Sequence, residues 1–337
     1  MKTTSKSTKP PVFFLGIDVG KADLFCHIIG PTSVLSERFH NNTKGIKSLM
    51  SWLKKTAKSK PWSACLEQTG HYGDAIAHAL HDCRPGSVCL VNPQLIKAFG
   101  QQKLRRNKSD TADAKLIARF LVSEIAELRP WQPKPPTEHR IMELSRFAES
   151  LTQDAARLKT MLEAQSDKLI RASLKRQIKT FTVEVAKVRA EINKLIASDK
   201  QLQTRNELIQ SIPGIGEVAS HVIIAELPDL EQFKDARQLA AWAGVTPRHC
   251  VSGTSGKTRT PITKIGSARL RRGLFMPAMN ARTFNPLLKE FAERLKENGI
   301  TPKQIIIAIM RKLLHQIYGI LKSGEPYNPN KRGLKFA

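Results

Sequence analysis

Residues 12–18 form a short apolar run that ends in Gly-Ile-Asp-Val-Gly, and a run of that length with that ending predicts a buried strand. Residues 24–29 and 33–39 predict a second and a third strand. Residues 45–57 carry apolar positions at helical spacing and predict an amphipathic helix. A short strand over 63–66 ends at Glu67 and is followed by Gln-Thr-Gly, with a helix expected over 72–82. One more strand, 87–91, is closed by Asn92-Pro93, and a helix over 109–123 starts with Ser109 or Asp110 near its N-cap. Three strands followed by alternating helix and strand predict a mixed α/β sheet.

The pattern changes after residue 129. Pro130, Pro133, Pro135 and Pro136 make a stiff linker over 130–136, and from Thr137 to Ile212 there is neither Gly nor Pro. Ile141, Leu144, Ala148, Leu151, Ala155, Leu158 and Leu162 step by three and four residues, as do Ile178, Phe181, Val185, Val188, Ile192 and Leu195 in another phase. Two apolar seams of this kind predict long coiled-coil helices over 137–205, broken by a turn or a bend between residues 169 and 179. Their partner is either each other, as a hairpin, or a second chain. Ile212-Pro213-Gly214-Ile215-Gly216 opens a mostly helical region, 206–324, whose last helix has Thr301 as N-cap, Pro302 at N1 and Gly324 as its stop. The fold class is therefore α/β plus α: a domain over 12–129, the linker, the coiled coil and a C-terminal domain. Basic tails over 1–11, expected to be disordered, and 325–337 flank them.

Charge narrows the function. Of 337 residues, 55 are Lys or Arg and 29 are Asp or Glu, a net charge of +26. The cations run the length of the chain rather than along one amphipathic helix, which favours nucleic acid over a membrane surface. Five cysteines without a Cys-x-x-Cys pair argue against a disulfide framework and a zinc site. The N-terminal tail has no apolar core of a signal peptide, and no uncharged stretch reaches membrane-spanning length, so a bacterial cytoplasmic, nucleoid-associated protein is expected.

Four carboxylates stand where chemistry gathers. Asp18 and Glu67 each end an apolar strand, and Asp110 and Asp113 lie one turn apart on one helix. Each alone reads more naturally as a turn former or a cap. Acidic groups brought together repel, and a divalent cation is the usual compensation; hard oxygen ligands suit Mg²⁺, with Mn²⁺ as the alternative. The order Gly-Ile-Asp-Val-Gly-Lys, Glu-Gln-Thr-Gly, Lys-Ser-Asp-Thr-Ala-Asp-Ala resembles the DEDD transposases of the insertion sequence 110 family. Their N-terminal domain is RNase H-like, similar to the RuvC resolvase. The resemblance implies that Asp18, Glu67, Asp110 and Asp113 bind the metal.

In the C-terminal region, Gly214 and Gly216 look like a helix-hairpin-helix turn, equally readable as a phosphate contact or a plain turn. Trp-Ala-Gly-Val-Thr-Pro (242–247) leads into a loop with two Ser-Gly steps, at Ser252 and Ser255, among Arg248, Lys257, Arg259 and Lys264. From the residues alone this is a basic loop that binds phosphates, with Lys21, Arg269, Arg271 and Arg272 as further nucleic-acid contacts. The pattern Ala-Gly-x-x-Pro, Ser-Gly, Lys-x-Gly, Leu-Arg resembles the C-terminal domain of the same family. That implies a serine nucleophile forming a phosphoserine link to DNA, with Ser252 favoured by its spacing from Pro247. The resemblance further implies a composite site of carboxylates and serine, a noncoding guide RNA that pairs with element-end and target DNA, and a homodimer or homotetramer. The rivals are a RuvC-like nuclease that uses water and a non-catalytic nucleic-acid-binding protein.

Overall fold

The apolar runs of the N-terminal half become the strands of one sheet: β1 (Phe13–Val19), β2 (Asp23–Ile29), β3 (Val34–His40), β4 (Trp62–Glu67) and β5 (Val88–Val91). The structure is a computed structural model that describes residues 12–68, 70, 72–102, 110–247 and 261–330. The two tails, apart from 325–330, lie outside the described residues, as does the 248–260 segment. The chain divides into two compact units, Met1–Pro133 and Lys134–Ala337.

In the N-terminal unit the strand order is β3-β2-β1-β4-β5. β1 pairs antiparallel with β2 and parallel with β4; β2–β3 is antiparallel and β4–β5 parallel. Side chains alternate between the faces of a strand, so each face has its own core. Leu15, Ile17, Cys26, Ile28, Ala64 and Leu66 point one way, against Leu49 and Leu53 of α1 (Thr43–Ala57) and Ile76 and Leu80 of α2 (Asp74–Cys83). On the other face, Cys65 and Cys89 pack with Ile117, Phe120 and Leu121 of α4 (Asp110–Glu124), alongside α3 (Pro93–Gln102). Helix α3 was not expected, because Asn92-Pro93 reads as a strand stop. Pro93 is instead its first residue, where a missing N–H leaves nothing unsatisfied, and the Asn92 side chain accepts from the Gln94 N–H at 2.9 Å.

The C-terminal unit is helical among its described residues. Helices α5 (Pro136–Ala164) and α6 (Lys168–Ser198) are joined by three residues, which leaves them room only to run antiparallel. They pack on each other through Ile141, Ala148, Ala155 and Leu158 on one side and Leu174, Val185, Val188 and Ile192 on the other. The two seams therefore face each other within one chain. The break falls at residues 165–167, ahead of the expected 169–179. Asp167 caps α6 by accepting from the Ile170 N–H, and Arg171 reaches back to the Leu162 and Gln165 carbonyls at 2.9 and 2.6 Å. There follow α7 (Lys200–Gln210), α8 (Glu217–Glu226), α9 (Ala236–Trp242), α10 (Ala268–Phe284), α11 (Pro286–Glu297) and α12 (Pro302–Ser323). Thr301 caps α12 through a capping box with Gln304, and Gly324 ends it with a φ of 69°. Among the described residues α12 is the one helix long and apolar enough to cross a membrane, and half of that stretch is buried in this unit, as a core helix is.

Candidate active site

The sheet register decides which carboxylates meet. Ile17 and Leu66 are partners across the parallel β1–β4 pair, so the next residues, Asp18 and Glu67, sit side by side on adjacent strands. Two residues before Asp18 on the same face is Gly16. A Cβ there would lie 2.8 Å from the Ala118 Cα and would collide with the backbone of Ala114 and Ala118. Glycine at 16 thus lets α4 lie directly on β1. The first turn of α4 carries Asp110 and Asp113, where the unpaired N–H groups of a helix start favour negative charge. Ligand oxygens of Asp18, Asp110 and Asp113 lie within 4.8 Å of one another; Asp18 and Asp113 are half-buried and Asp110 is exposed. Glu67, also half-buried, stands on the next strand and is not part of that trio.

A hard-oxygen trio of this size fits one small divalent cation, and no other donor type is in it. The sequence offered these residues as candidates; the fold brings three together and sets the fourth beside Asp18.

Arg38 is a functional candidate that sequence reasoning missed. Asp18 pairs with Phe25, and Phe25 with Arg38, so Arg38 lies two strands from Asp18 on the same face. Its guanidinium stacks 5.5 Å over the Phe25 ring and donates to the Asp23 carboxylate at 2.7 Å. That hydrogen bond, the charge of Asp23 and, less strongly, the charge of Asp110 raise its pKa. The same bond holds the Asp23 carboxyl below its usual range, with His40 assisting from 3.0 Å. The only signal in sequence was a cation at a strand position of the polar face, which is unremarkable on an edge strand.

Three thiols are closed off in the cores on the two faces of the sheet. Burial raises the Cys26 and Cys65 pKa well above the ordinary thiol range and that of Cys89 to about 11, as inert core cysteines require.

In the C-terminal unit, Arg248, Ser252, Ser255, Lys257 and Arg259 lie outside the described residues. Their flanks are held together. Pro247 and Ile262 form an antiparallel bridge, the Thr263 N–H donates to the Thr246 carbonyl at 3.0 Å and the Lys264 N–H to the Gly244 carbonyl at 3.2 Å. Arg271 donates to the Ala243 carbonyl at 2.9 Å. The Ala-Gly-x-x-Pro, Lys-x-Gly and Leu-Arg stretches, separate in sequence, thus converge on the base from which the serine segment leaves and to which it returns.

The other expected nucleic-acid contacts have mixed surroundings. Arg269 and Arg272 both pair with Glu149 of α5, at 3.6 and 2.9 Å. Lys21 is exposed in the turn after β1, and Lys264 is exposed with a φ of 54°. Gly214 has a φ of 103°, and a Cβ there would come 2.6 Å from the Ala281 nitrogen of α10, so packing alone demands a glycine. Gly216 is the N-cap of α8, with open space around it.

Two family models match this chain. Residues 15–169 match the DEDD transposase model of IS110 elements, and residues 206–293 match the transposase IS116/IS110/IS902 family. The pilin gene-inverting protein of Moraxella bovis is 31% identical over 317 residues, covering 94% of this chain and 97% of its own. The transposase for insertion sequence element IS1111A of Coxiella burnetii is 26% identical over 274 residues, 71% of this chain and 72% of its own. Among solved structures, T. thermophilus RuvC in complex with Holliday junction substrate matches at 14% identity and a TM-score of 0.28, covering 36% of this chain and 99% of that one.

Proposed function

Because the chain belongs to the IS116/IS110/IS902 family of transposases, we propose that it cuts DNA and rejoins it through a covalent serine intermediate, with metal-binding carboxylates serving the same reaction. The observation that carries the reading is the trio Asp18, Asp110 and Asp113, whose ligand oxygens lie within 4.8 Å of one another at the end of a central strand. In this reading the N-terminal unit is RNase H-like, and Glu67, one strand over, is the fourth ligand.

A divalent cation, Mg²⁺ or Mn²⁺, held by these carboxylates would supply Lewis-acid stabilisation of charge on the scissile phosphate. The residues of the chain do the rest. Asp18, Asp110, Asp113 and Glu67 would hold the cation, whose charge would offset the repulsion between these carboxylates and a phosphate. Arg38, on the same face, offers a positive group to a phosphate oxygen, and its salt bridge to Asp23 and stacking on Phe25 fix the direction of the exposed guanidinium. Ser252 attacks phosphorus through its Oγ, forming a phosphoserine ester and releasing the strand's own hydroxyl. Attack by a new DNA hydroxyl reverses the step, so strand exchange requires no external energy source. Ser252 is favoured over Ser255 by its spacing from Pro247, and the paired flanks at Pro247 and Ile262 are what a delivered loop requires.

The partners follow from the same reading: element-end and target DNA, and a noncoding RNA that supplies sequence recognition by pairing. The net charge of +26 suits both polyanions. Joining several strands in one event calls for two or four copies of the chain.

The test is denaturing electrophoresis after incubation with Mg²⁺, element-end DNA and co-expressed RNA, comparing wild type with Ser252→Ala, Ser255→Ala and Asp18→Asn. A protein–DNA adduct absent only in Ser252→Ala and Asp18→Asn is expected. Cleavage without an adduct, indifferent to both serine substitutions, would refute the serine step and leave a nuclease that uses water.

A further inference from the structure

Asp18 and Glu67 stand just past the last pair of the parallel β1–β4 register, Ile17 with Leu66. Each is fixed from its outer side. Asp18 pairs with Phe25 of β2, and Glu67 pairs with Val91 of β5, whose carbonyl also accepts from the Gln68 N–H at 2.8 Å. Asn41, just after β3, joins the two stretches of chain that leave these carboxylates. Its Nδ2 donates to the Gly20 carbonyl at 2.9 Å and to the Tyr72 carbonyl at 3.0 Å. Gly20 lies two residues past Asp18, and Tyr72 lies five past Glu67.

The asparagine is itself held. Its N–H donates to the Ala22 carbonyl at 2.7 Å, and Arg38 and His40, on the strand just before it, both bond the Asp23 carboxylate. The turn after Asp18 is thereby tied to the end of β3. The stretch after Glu67 comes back against the same place: a Cβ on Gly73 would lie 3.9 Å from a Val19 methyl, an ordinary contact distance. Asparagine suits position 41 because its amide nitrogen carries two hydrogens, so one short side chain serves two carbonyls.

We propose that Asn41 is a positioning residue for the carboxylate site: by pinning the chain after Asp18 to the chain after Glu67, it sets how far Glu67 stands from Asp18. This role rests on the reading of these carboxylates as the ligands of a divalent cation. Asp18 is already gathered with Asp110 and Asp113, whereas Glu67 stands outside that trio. The spacing that Asn41 sets therefore decides whether Glu67 joins them. Groups that orient metal ligands from behind change metal affinity by about 10- to 100-fold when they are removed. The role is the same whether serine or water is the nucleophile, since it concerns the cation's ligands alone.

The experiment is a double-mutant cycle on the full chain without nucleic acid, with Mn²⁺ affinity read from the electron paramagnetic resonance signal of the free ion. Wild type, Asn41→Ala, Glu67→Gln and the double variant are titrated, and Asp18→Asn marks the loss expected when the site is gone. Asn41→Ala is expected to weaken Mn²⁺ binding by about tenfold or more. In the Glu67→Gln background it should add less than about twofold, because the spacing no longer matters there. A merely structural role lowers affinity equally in both backgrounds, and that result overturns the proposal, as does wild-type affinity in Asn41→Ala. In both of those cases, Mn²⁺ binding that Asp18→Asn abolishes leaves the carboxylate reading standing. Wild-type Mn²⁺ binding that is absent or indifferent to Asp18→Asn refutes that reading and the proposal with it. If Asn41→Ala unfolds early in a thermal scan, Asn41→Ser, which keeps one donor, replaces it and the same two backgrounds decide.

Discussion

Gly16→Ala tests whether the packing of α4 on β1 builds the acidic site. Gly16 does not have a positive φ, so alanine fits the backbone and would by itself stabilise the chain by about 0.4–1 kcal/mol through lost unfolded-state freedom. Against this, the added methyl would meet the Ala118 Cα at 2.8 Å and the Ala114 and Ala118 backbone closer still. Ordinary van der Waals contact begins near 3.4 Å, so α4 must retreat by at least about 0.6 Å, and no side-chain rotation can relieve a clash with backbone. Overpacking of this kind costs about 1–3 kcal/mol, and a backbone clash belongs at the upper end, for a net loss near ~2 kcal/mol. Asp110 and Asp113 sit on the same helix, directly before Ala114, and must move with it. Metal sites tolerate about 0.2 Å in ligand distance, so Mn²⁺ affinity should fall by about 10- to 100-fold. Urea denaturation and Mn²⁺ titration calorimetry measure the two effects. Gly86→Ala is the control: its φ of 80° strains an alanine, but the new Cβ meets only open space, so stability falls while Mn²⁺ affinity holds. Wild-type stability and wild-type Mn²⁺ affinity in Gly16→Ala would refute the reasoning.

Asp113→Asn takes one charged ligand from the trio, so the rise in unfolding temperature that Mg²⁺ gives the wild type should disappear in a thermal scan. Lys134→Met leaves the Ala225 and Leu227 carbonyls, which the Nζ reaches at 2.7 and 3.0 Å, without their donor at the end of α8. It should lose ~2 kcal/mol in urea denaturation, and an unchanged midpoint would mean that water replaces the lysine. His315 titrates at about 4 when folded against 6.5 when free. Between those values the unfolded chain binds the extra proton, so stability falls as pH drops from 6.5 towards 4, and His315→Gln should flatten that limb of a stability–pH curve.

The strands were legible because an apolar run bounded by turn residues leaves little else for the chain to do, and their observed limits fall within a residue or two of expectation. Asp18 and Glu67 could be nominated from their positions, but their adjacency is a matter of register, and register comes from pairing across some fifty intervening residues. Gly16 shows the limit better. In sequence it is a glycine inside a strand; only the helix laid across it reveals why a side chain is excluded. Asn92-Pro93 misled in the other direction, since proline stops a strand and starts a helix equally well, and local sequence does not choose between them. Cations were harder to place: Glu149, more than a hundred residues earlier, pairs with both Arg269 and Arg272, a contact that nothing in the chain around them announces.

The acidic trio holds like charges close together at the end of β1, and the ligand that suits it is one of opposite sign. Linkage makes the binding measurable: a ligand present at a hundred times its Kd adds about 2.7 kcal/mol to the stability of the form that binds it. A divalent cation should therefore stabilise the unfolding transition of the N-terminal unit. The frame that holds the trio is apolar: β1 and α4 meet through Gly16 and the core of Ile117, Phe120 and Leu121. The acidic charge thus sits beside a packed apolar frame rather than within it, which is the arrangement expected of a binding site.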